Sequence, residues 1–279
     1  MVVAELARLG VPWPMILLML LLAWSTNVSH TPIGFADFFS GEDAQTAAFR
    51  EDHYMQGHSH DIRNGRAFDF LANSGFALAA NSVGRLQPNG IAPLGPTCSS
   101  WVFLSRSSSK RNYLYPIGCE ELDWVRAGNV MASRVCLLLL LIVYAQCTFL
   151  LEQPVSSLFS RHHRFVLVVK LLRQLGIKMF RQTVNLGAFG SASRKPLHLF
   201  SNNWALLKSL WRPLTFTDKM RFAANTANRL VVKSVSKHGA QQVTGVPSAL
   251  RESQSCSYRS HLMFRQGCGM YVWHELYIH

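Results

Sequence analysis

A run of 17 uncharged residues, Val135–Leu151, ends at Glu152 and constrains the fold more than any other feature of the chain. Seventeen apolar residues are the lower limit for an α-helix that spans a bilayer. Central strands of a parallel sheet, which are covered on both faces, also read as unbroken apolar runs. Gln146 divides the run, so we predict a buried helix followed by a strand over 148–151. A transmembrane helix over 135–151 is the alternative.

Strand and helix patterns alternate along the first half of the chain. This alternation predicts an α/β chain with a Rossmann-like, doubly wound, mostly parallel sheet. Beyond Pro154 the pattern is less regular. The predicted strands are 33–39, 91–94, 148–151, 179–184 and 197–200, and the predicted helices are 42–51, 67–86, 122–145, 165–175 and a basic stretch over 217–237.

Three of the predicted strands are each followed by a chemically distinctive residue. Gly41 follows the first strand, Cys98 lies in a Gly-Pro-Thr-Cys turn after another, and Glu152 closes a third. In an open α/β sheet the carboxyl ends of the strands face one crevice, where ligands bind. The sequence therefore predicts that a thiol and a carboxylate meet beside a glycine turn.

The segment Phe39-Ser40-Gly41 is a candidate cofactor contact. A glycine directly after the first strand allows a tight turn and close approach of the backbone to a nucleoside cofactor. Asp61 follows Gly41 by 20 residues, the offset at which an acid meets a ribose hydroxyl in nucleotide-binding βαβ units. An ordinary strand-to-helix turn is the alternative interpretation.

Glu152 and Cys98 are the candidate catalytic residues. A carboxylate directly after an apolar strand is costly to bury unless it has a partner or a function. A reactive thiolate needs a helix N-terminus or a nearby cation, and the basic loop 106–111 follows Cys98 in the sequence.

These motifs resemble those of the DNA cytosine-5 methyltransferases. The family's DLFSGxGG, GPPCQ and ENV motifs are similar to DFFSGEDA, GPTCS and EQP here, with Asp43 and Ala44 in place of the later glycines. The resemblance implies S-adenosylmethionine as cofactor. It also implies Cys98 as the nucleophile that adds to C6 of a flipped-out cytosine and Glu152 as the acid that hydrogen-bonds the base. The implied cofactor contacts are Phe39, Ser40, Gly41 and Asp61.

A wider resemblance, from about Phe38 to Leu250, is to a group of microalgal proteins. They share the pattern FFSG…GPTCSSW…R…GN…R…LLEQPxSS…HxRF…FG…KP. This resemblance implies a methyltransferase-like fold, either active or degenerate. The further matched residues are Ser99, Ser100, Trp101, Asn129, Arg134, Ser156, Ser157 and Phe165.

The positive charge of the chain, +13 overall, is concentrated in its second half. Between residues 155 and 237, fifteen Lys and Arg side chains face one acid, Asp218. A one-sided basic face favours polyanions or anionic membranes. A non-catalytic nucleic-acid-binding protein on the same fold is therefore the alternative function, and a solvated basic surface is the neutral interpretation.

Cysteine usage indicates a reducing, intracellular compartment, because the six cysteines contain no CxxC pair and the chain is long for a disulfide framework. No metal site is predicted, since the histidines at 53, 58 and 60 lack a cysteine or acid in register. Residues 1–30 contain an apolar run, Met15–Trp24, which reads as a targeting leader, a membrane anchor or an extension.

The predicted organisation has three parts: the leader over 1–30, a methyltransferase-like domain over 31–250 that is basic from residue 155, and an irregular tail over 251–279. A small integral membrane protein with helices near 15–24 and 135–151 is the second alternative. The oligomeric state is not predicted.

Overall fold

A computed structural model describes residues 31–41, 43–52, 56–189, 191, 193–224, 231–235 and 241–245, together with Trp13 and Ile16. Most of the predicted leader and the whole predicted tail over 251–279 lie outside these residues. The part that is described contains an α/β unit built on one six-stranded sheet and a separate two-stranded sheet.

The main sheet has the strand order β2-β1-β3-β4-β6-β5. The first four of these strands are parallel, and β6 runs antiparallel to both of its neighbours. The sheet is therefore mixed, with a parallel half that carries the predicted strands of the first half of the chain. The strands are β1 Ile33–Phe38, β2 Gly57–His60, β3 Leu86–Leu94, β4 Thr148–Pro154, β5 Phe180–Asn185 and β6 Pro196–Ser201.

Seven α-helices lie among the described residues. They are α1 Ala44–Asp52, α2 Asn73–Gly84, α3 Arg106–Ser109, α4 Asp123–Tyr144, α5 His163–Gln174, α6 Trp204–Ser209 and α7 Phe216–Ala224. Short 3-10 turns occur at Ile62–Asn64, Arg66–Phe68, Phe103–Ser105, Phe159–Arg161 and Leu186–Phe189.

The predicted basic helix over 217–237 is confirmed up to Ala224 and is wrong over 231–235. The strands β7 Val231–Val235 and β8 Gln241–Gly245 form the small antiparallel sheet instead. The sequence VVKSV explains the difference, because β-branched residues lose side-chain freedom in a helix and fit a pleated strand.

Helices cover both faces of the main sheet. On β4, the side chains of Phe149 and Leu151 join the cluster formed with α2, α4 and α5. Leu150 points the other way and joins the cluster that includes Phe49 of α1 and Leu206 of α6. Both faces of β4 are therefore buried, which is the physical reason for its unbroken apolar sequence.

The apolar run divides at the residue that the sequence indicated. Helix α4 ends at Tyr144, Gln146 adopts a left-handed backbone with φ 58°, and β4 begins at Thr148. A left-handed residue is a common way for a helix to end. Among the described residues, α4 alone is long and apolar enough to cross a membrane by length and composition, and half of its most apolar stretch is buried inside the fold.

Arg111 corrects the prediction that residues 106–111 form a polar, basic loop. Residues 106–109 form the short helix α3, and Arg111 is only 1% exposed. Its guanidinium carbon lies 3.6 Å from the centroid of the Trp101 ring, a cation–π contact inside the protein.

The Arg111 guanidinium is held by hydrogen bonds to the 116–117 segment and to helix α4. It donates to the carbonyl oxygens of Pro116 at 2.6 Å and Ile117 at 2.8 Å, and to Asn129 Oδ1 on α4 at 2.8 Å. It also donates to the carbonyl of Val125 at 3.0 Å. Burial lowers the pKa of Arg111 to about 10, so the group stays charged at neutral pH.

Replacing Arg111 with alanine should destabilise the protein strongly. Arg111→Ala removes the ring contact and leaves several buried carbonyl groups without their donor, so we expect the free energy of unfolding to fall by about 3 kcal/mol. Urea unfolding followed by circular dichroism measures this change. The matched control is Arg126→Ala on α4, whose side chain is 57% exposed and whose ion pair with Asp123 is worth at most about 1 kcal/mol. Equal losses for the two variants would show that the Arg111 network does not stabilise the fold.

Candidate functional site

The candidate site lies where the strand order reverses. The chain passes from β1 to β2 on one side, and β3 lies on the other side of β1, so the loops after β1 and β3 diverge at this point. Pairing places Phe38 beside Leu94, and Leu94 beside Leu151. These three paired residues lie at one level near the carboxyl edge of the sheet. Glu152, which follows Leu151, therefore lies at this edge.

The turn after β1 has an unusual backbone. Phe39, Gly41 and Asp43 have left-handed φ values of 66°, 61° and 60°. This conformation suits Gly41 and is uncommon for a bulky residue such as Phe39, and such strain persists only where the surroundings hold it. The Phe39 N–H donates to the carbonyl of His60 at 2.7 Å, and its ring centroid lies 4.2 Å from that of Phe70. Asp43 thus takes a glycine-like conformation at one of the positions where the methyltransferase motif has glycine.

Asp61 and Gly41 are brought together as their spacing predicts. Asp61 follows β2 directly, and its Oδ2 accepts the Gly41 N–H at 2.9 Å. Its Oδ1 accepts the N–H of Arg63 at 2.9 Å. Each carboxylate oxygen offers more than one acceptor site, so the partly buried Asp61 can still accept hydrogen bonds from a ligand.

Asp37 is the site residue that the sequence prediction missed. It lies inside β1, is 2% exposed, and its Oδ2 has no hydrogen-bond partner among the described residues. Burial, followed by the negative charges of Asp43, Asp61 and Glu152, raises the pKa of Asp37 to about 8, against a lowering by Thr46. The buried Thr46 hydroxyl makes no hydrogen bond to Asp37 or to any other of the described residues. Asp37 therefore holds a proton at neutral pH. The sequence signal that could have identified this residue is a single acid within the apolar strand IGFADF.

Cys98 begins a helical turn at the carboxyl edge of β3. Its carbonyl accepts the N–H groups of Trp101 at 2.9 Å and Val102 at 3.2 Å. Burial raises the pKa of the Cys98 thiol, with Lys195 lowering it and Glu152 raising it. The thiol is therefore protonated at rest. The cation that acts on it is Lys195, from the loop before β6, and not the predicted basic loop 106–111.

Glu152 is close enough to Cys98 and to Asp37 to raise the pKa of each. It is partly buried on β4, opposite Leu199 of β6. The predicted thiol therefore lies within range of the charge of the predicted carboxylate, at the carboxyl edge of the sheet where β1 also ends. Their chemical roles stay predictions.

The residues of the microalgal pattern support the Cys98 turn. Gln153 is buried, and its Nε2 donates to the carbonyl of Pro96 at 3.3 Å. Ser157 Oγ donates to Gln153 Oε1 at 2.8 Å, and the N–H of Leu158 donates to the carbonyl of Trp101 at 2.9 Å. These bonds tie the loop after β3 to the end of β4.

Within the part of the chain that the structure describes, no group of His, Cys, Asp and Glu side chains is arranged to hold a metal ion. His60 Nε2 lies 2.8 Å from Ser82 Oγ, and His53 is outside the described residues.

Neither a scan against protein-family models nor a search of curated proteins finds a match to this chain.

Asp37 should make the stability of the protein depend on pH. Because its pKa is raised on folding, the folded chain holds a proton that the unfolded chain releases between about pH 4 and pH 8. The free energy of unfolding should therefore fall as pH rises through this range, by up to about 1.4 kcal/mol per pH unit from this group. The asparagine in Asp37→Asn cannot ionise. When urea unfolding is measured at several pH values between 5 and 8, the free energy of unfolding of this variant should therefore fall less steeply with pH than that of the parent protein.

Glu121→Gln, at an exposed acid, is the control and should keep the slope of the parent protein. If the free energies of unfolding of Asp37→Asn and of the parent protein change equally with pH, the pKa of Asp37 is not raised in the folded state.

The charges beside Cys98 should change its reactivity in opposite directions. Glu152→Gln removes a charge that raises the thiol pKa, so alkylation of Cys98 by iodoacetamide at pH 8 should become a few-fold faster. Lys195→Met removes a charge that lowers the pKa, so the reaction should become slower. Mass spectrometry of the peptide that contains Cys98 measures both rates, and changes of the same sign would contradict the arrangement.

Proposed function

We propose that this chain is an S-adenosylmethionine-binding protein of the cytosine-5 methyltransferase type. Gly41 and Asp61 would contact the cofactor together with Phe39 and Ser40, and Cys98 with Glu152 would act on a pyrimidine base. One observation carries the proposal. Asp61, 20 residues after Gly41, accepts the Gly41 N–H at the point where the strand order reverses.

A doubly wound, Rossmann-like arrangement supports this proposal. Helices on both faces of the sheet, four parallel strands and a reversal of strand order beside β1 are the features of that fold class. In such sheets a nucleotide lies across the reversal, with its ribose near an acid after the second strand. Asp61 occupies that position directly after β2.

The charge of the site fits the cofactor. S-adenosylmethionine carries a positive sulfonium and a positive ammonium group, and its ribose offers hydroxyl donors. The edge of the sheet presents the acids Asp43, Asp61 and Glu152, with the unpartnered Asp37 Oδ2 beneath them. Opposite charges that are partly shielded from water attract strongly, so a cationic ligand suits this edge.

S-adenosylmethionine supplies a methyl group held on an electron-poor sulfur. The chain's own part would begin at Cys98, whose thiol would give its proton to solvent water and whose Sγ would then bond to C6 of the base, which gives C5 the electron density it needs to accept the methyl group. Transfer of the C5 proton to solvent water would then break the Sγ–C6 bond and restore the C5–C6 double bond of the ring and the thiolate. Glu152 would orient the base by a hydrogen bond.

The resting thiol of Cys98 is consistent with activation by the substrate. Burial raises the pKa of Cys98 most, Lys195 lowers it, and Glu152 raises it. A base that donates a hydrogen bond to Glu152 would weaken the effect of that carboxylate on the thiol and leave the effect of Lys195 less opposed. The thiolate would then form when a base is in place.

A non-catalytic nucleic-acid-binding protein is the second candidate. The raised pKa of Cys98 favours it, together with the left-handed Asp43 in place of a motif glycine. In this case the exposed cations of the region 155–237, such as Arg164, Lys170 and Arg173 on α5, would contact phosphates. Binding would persist in Cys98→Ser and weaken with salt.

Calorimetric titration of S-adenosylmethionine into the full chain tests the proposal. We expect binding tighter than 1 mM, in the range that ordinary cofactors show. Gly41→Ala should weaken it at least tenfold, because alanine is strained at a φ of 61° and the turn carries the N–H that positions Asp61.

Cys98→Ser is the matched variant, and its cofactor binding should equal that of the parent protein while methyl transfer to cytosine-containing nucleic acid is lost. Absence of binding near 1 mM would refute the cofactor assignment. Cofactor binding with no transfer in the parent protein would leave the non-catalytic function.

A further inference from the structure

Three exposed aromatic side chains stand beside the candidate site. Phe103, Tyr113 and Tyr115 are 53%, 63% and 56% exposed. Together with Arg106 and Arg161 they form what we call the aromatic platform. Exposed rings of this size do not contribute to the hydrophobic core. A group of them on one surface is typical of a binding site.

The arginines bind the platform into one surface. The guanidinium carbon of Arg106 lies 5.5 Å from the ring centroid of Phe103 and 5.1 Å from that of Tyr113. Arg161 approaches the same Tyr113 ring at 5.7 Å. Residues 99–119 contain no Asp or Glu, and both charged members of the platform, Arg106 and Arg161, are positive.

The turn that carries the tyrosines is held rigidly. Asn112 Oδ1 accepts the N–H groups of Leu114 at 2.9 Å and Tyr115 at 2.8 Å, which closes the turn. Below it, the buried Arg111 fixes the carbonyls of Pro116 and Ile117. The rings are therefore presented in one arrangement, and a ligand that binds them loses little additional conformational freedom in the protein.

The platform lies on the same edge of the sheet as the candidate catalytic pair. Phe103 follows Cys98 in the loop after β3, and Arg106 Nη2 donates at 3.0 Å to the carbonyl of Ser156, which follows Glu152 in the loop after β4. The platform is thus built from the loop after β3, which carries the proposed nucleophile, and from the loop after β4, the strand that carries the proposed base-orienting acid.

We propose that the aromatic platform binds single-stranded nucleic acid. Aromatic rings stack on unpaired bases, and arginines supply contacts to the phosphates between them. In a duplex the base pairs stack on one another and cover the faces of the bases, so a duplex offers the rings no such partner. Binding of the strand involves only the residues of the aromatic platform. The inference rests on the proposed function in one respect, namely that the bound strand delivers a base to Cys98.

Fluorescence anisotropy with a labelled 20-nucleotide single strand of mixed sequence, in the absence of S-adenosylmethionine, tests the inference. We expect Tyr113→Ala to weaken binding by about 10-fold, a typical effect of losing one stacking ring. Tyr113→Phe keeps the ring and should bind within about twofold of the parent protein. A blunt duplex of the same sequence should bind at least 10-fold more weakly than the strand.

Tyr144→Ala is the matched control. Tyr144 is 52% exposed at the end of α4, immediately before β4 begins and therefore at the opposite edge of the sheet. Its loss should leave the affinity for the strand within about twofold of the parent value. Arg161→Ala should weaken binding and flatten its dependence on salt concentration by removing about one phosphate contact.

Three results would overturn the inference: an unchanged affinity in Tyr113→Ala, an equal or tighter affinity for the duplex, or an equal loss in Tyr144→Ala. Binding of phosphatidylserine vesicles that depends on Tyr113, without binding of the strand, would assign the platform to a membrane instead. A protein that fails to bind S-adenosylmethionine but loses the strand in Tyr113→Ala would retain this inference and refute the methyltransferase proposal.

Discussion

The contact between Arg111 and Trp101 is the interaction on which the candidate site depends. A buried guanidinium stacks on the Trp101 ring and donates to carbonyls of the 116–117 segment and to Asn129 of α4. It therefore joins the loop after β3 to the longest helix of the main unit. A Cβ at Gly128 would overlap the Ser100 hydroxyl next to this cluster, so helix α4 can approach the loop after β3 this closely only with glycine at position 128. The Cys98 turn is anchored at one end by β3 and at the other by this network.

The second constraint is the gathering of carboxyl groups at the carboxyl edge of the sheet. Parallel strands all end at this edge, so acids that follow or close different strands converge whatever their separation in sequence. Asp37 lies deepest, and burial together with its charged neighbours keeps it protonated at neutral pH. An edge that concentrates negative charge around a neutral, unpartnered carboxyl oxygen is suited to a ligand with cationic groups and hydroxyl donors. The same edge carries the positive aromatic platform on its outer side, so the two proposed ligands would meet surfaces of opposite charge.

Several site residues could be found from the sequence because their geometry follows from chain connectivity. The pairing of Gly41 with Asp61 follows from one strand-helix-strand unit, and the approach of Cys98 to Glu152 follows from two parallel strands that end at one level. Lys195 could not be found in this way, since it lies in the loop directly before β6, an antiparallel strand whose insertion between β4 and β5 no local pattern indicates. Arg111 was misread as a solvated loop residue, because charged residues are rarely buried without a network that only the fold supplies.

The sequence by itself determined the α/β class, the division of the apolar run at Gln146 and the order of Gly41, Cys98 and Glu152 along the carboxyl edge. These features depend on hydrophobic period and on local backbone preference, which neighbouring residues encode. The tertiary structure decided the mixed direction of the sheet, the protonation of Asp37 and Cys98, and the burial of Arg111 beneath the exposed rings. These properties depend on the distance to charges and on exclusion of water, and residues far apart in the chain set both quantities only after folding.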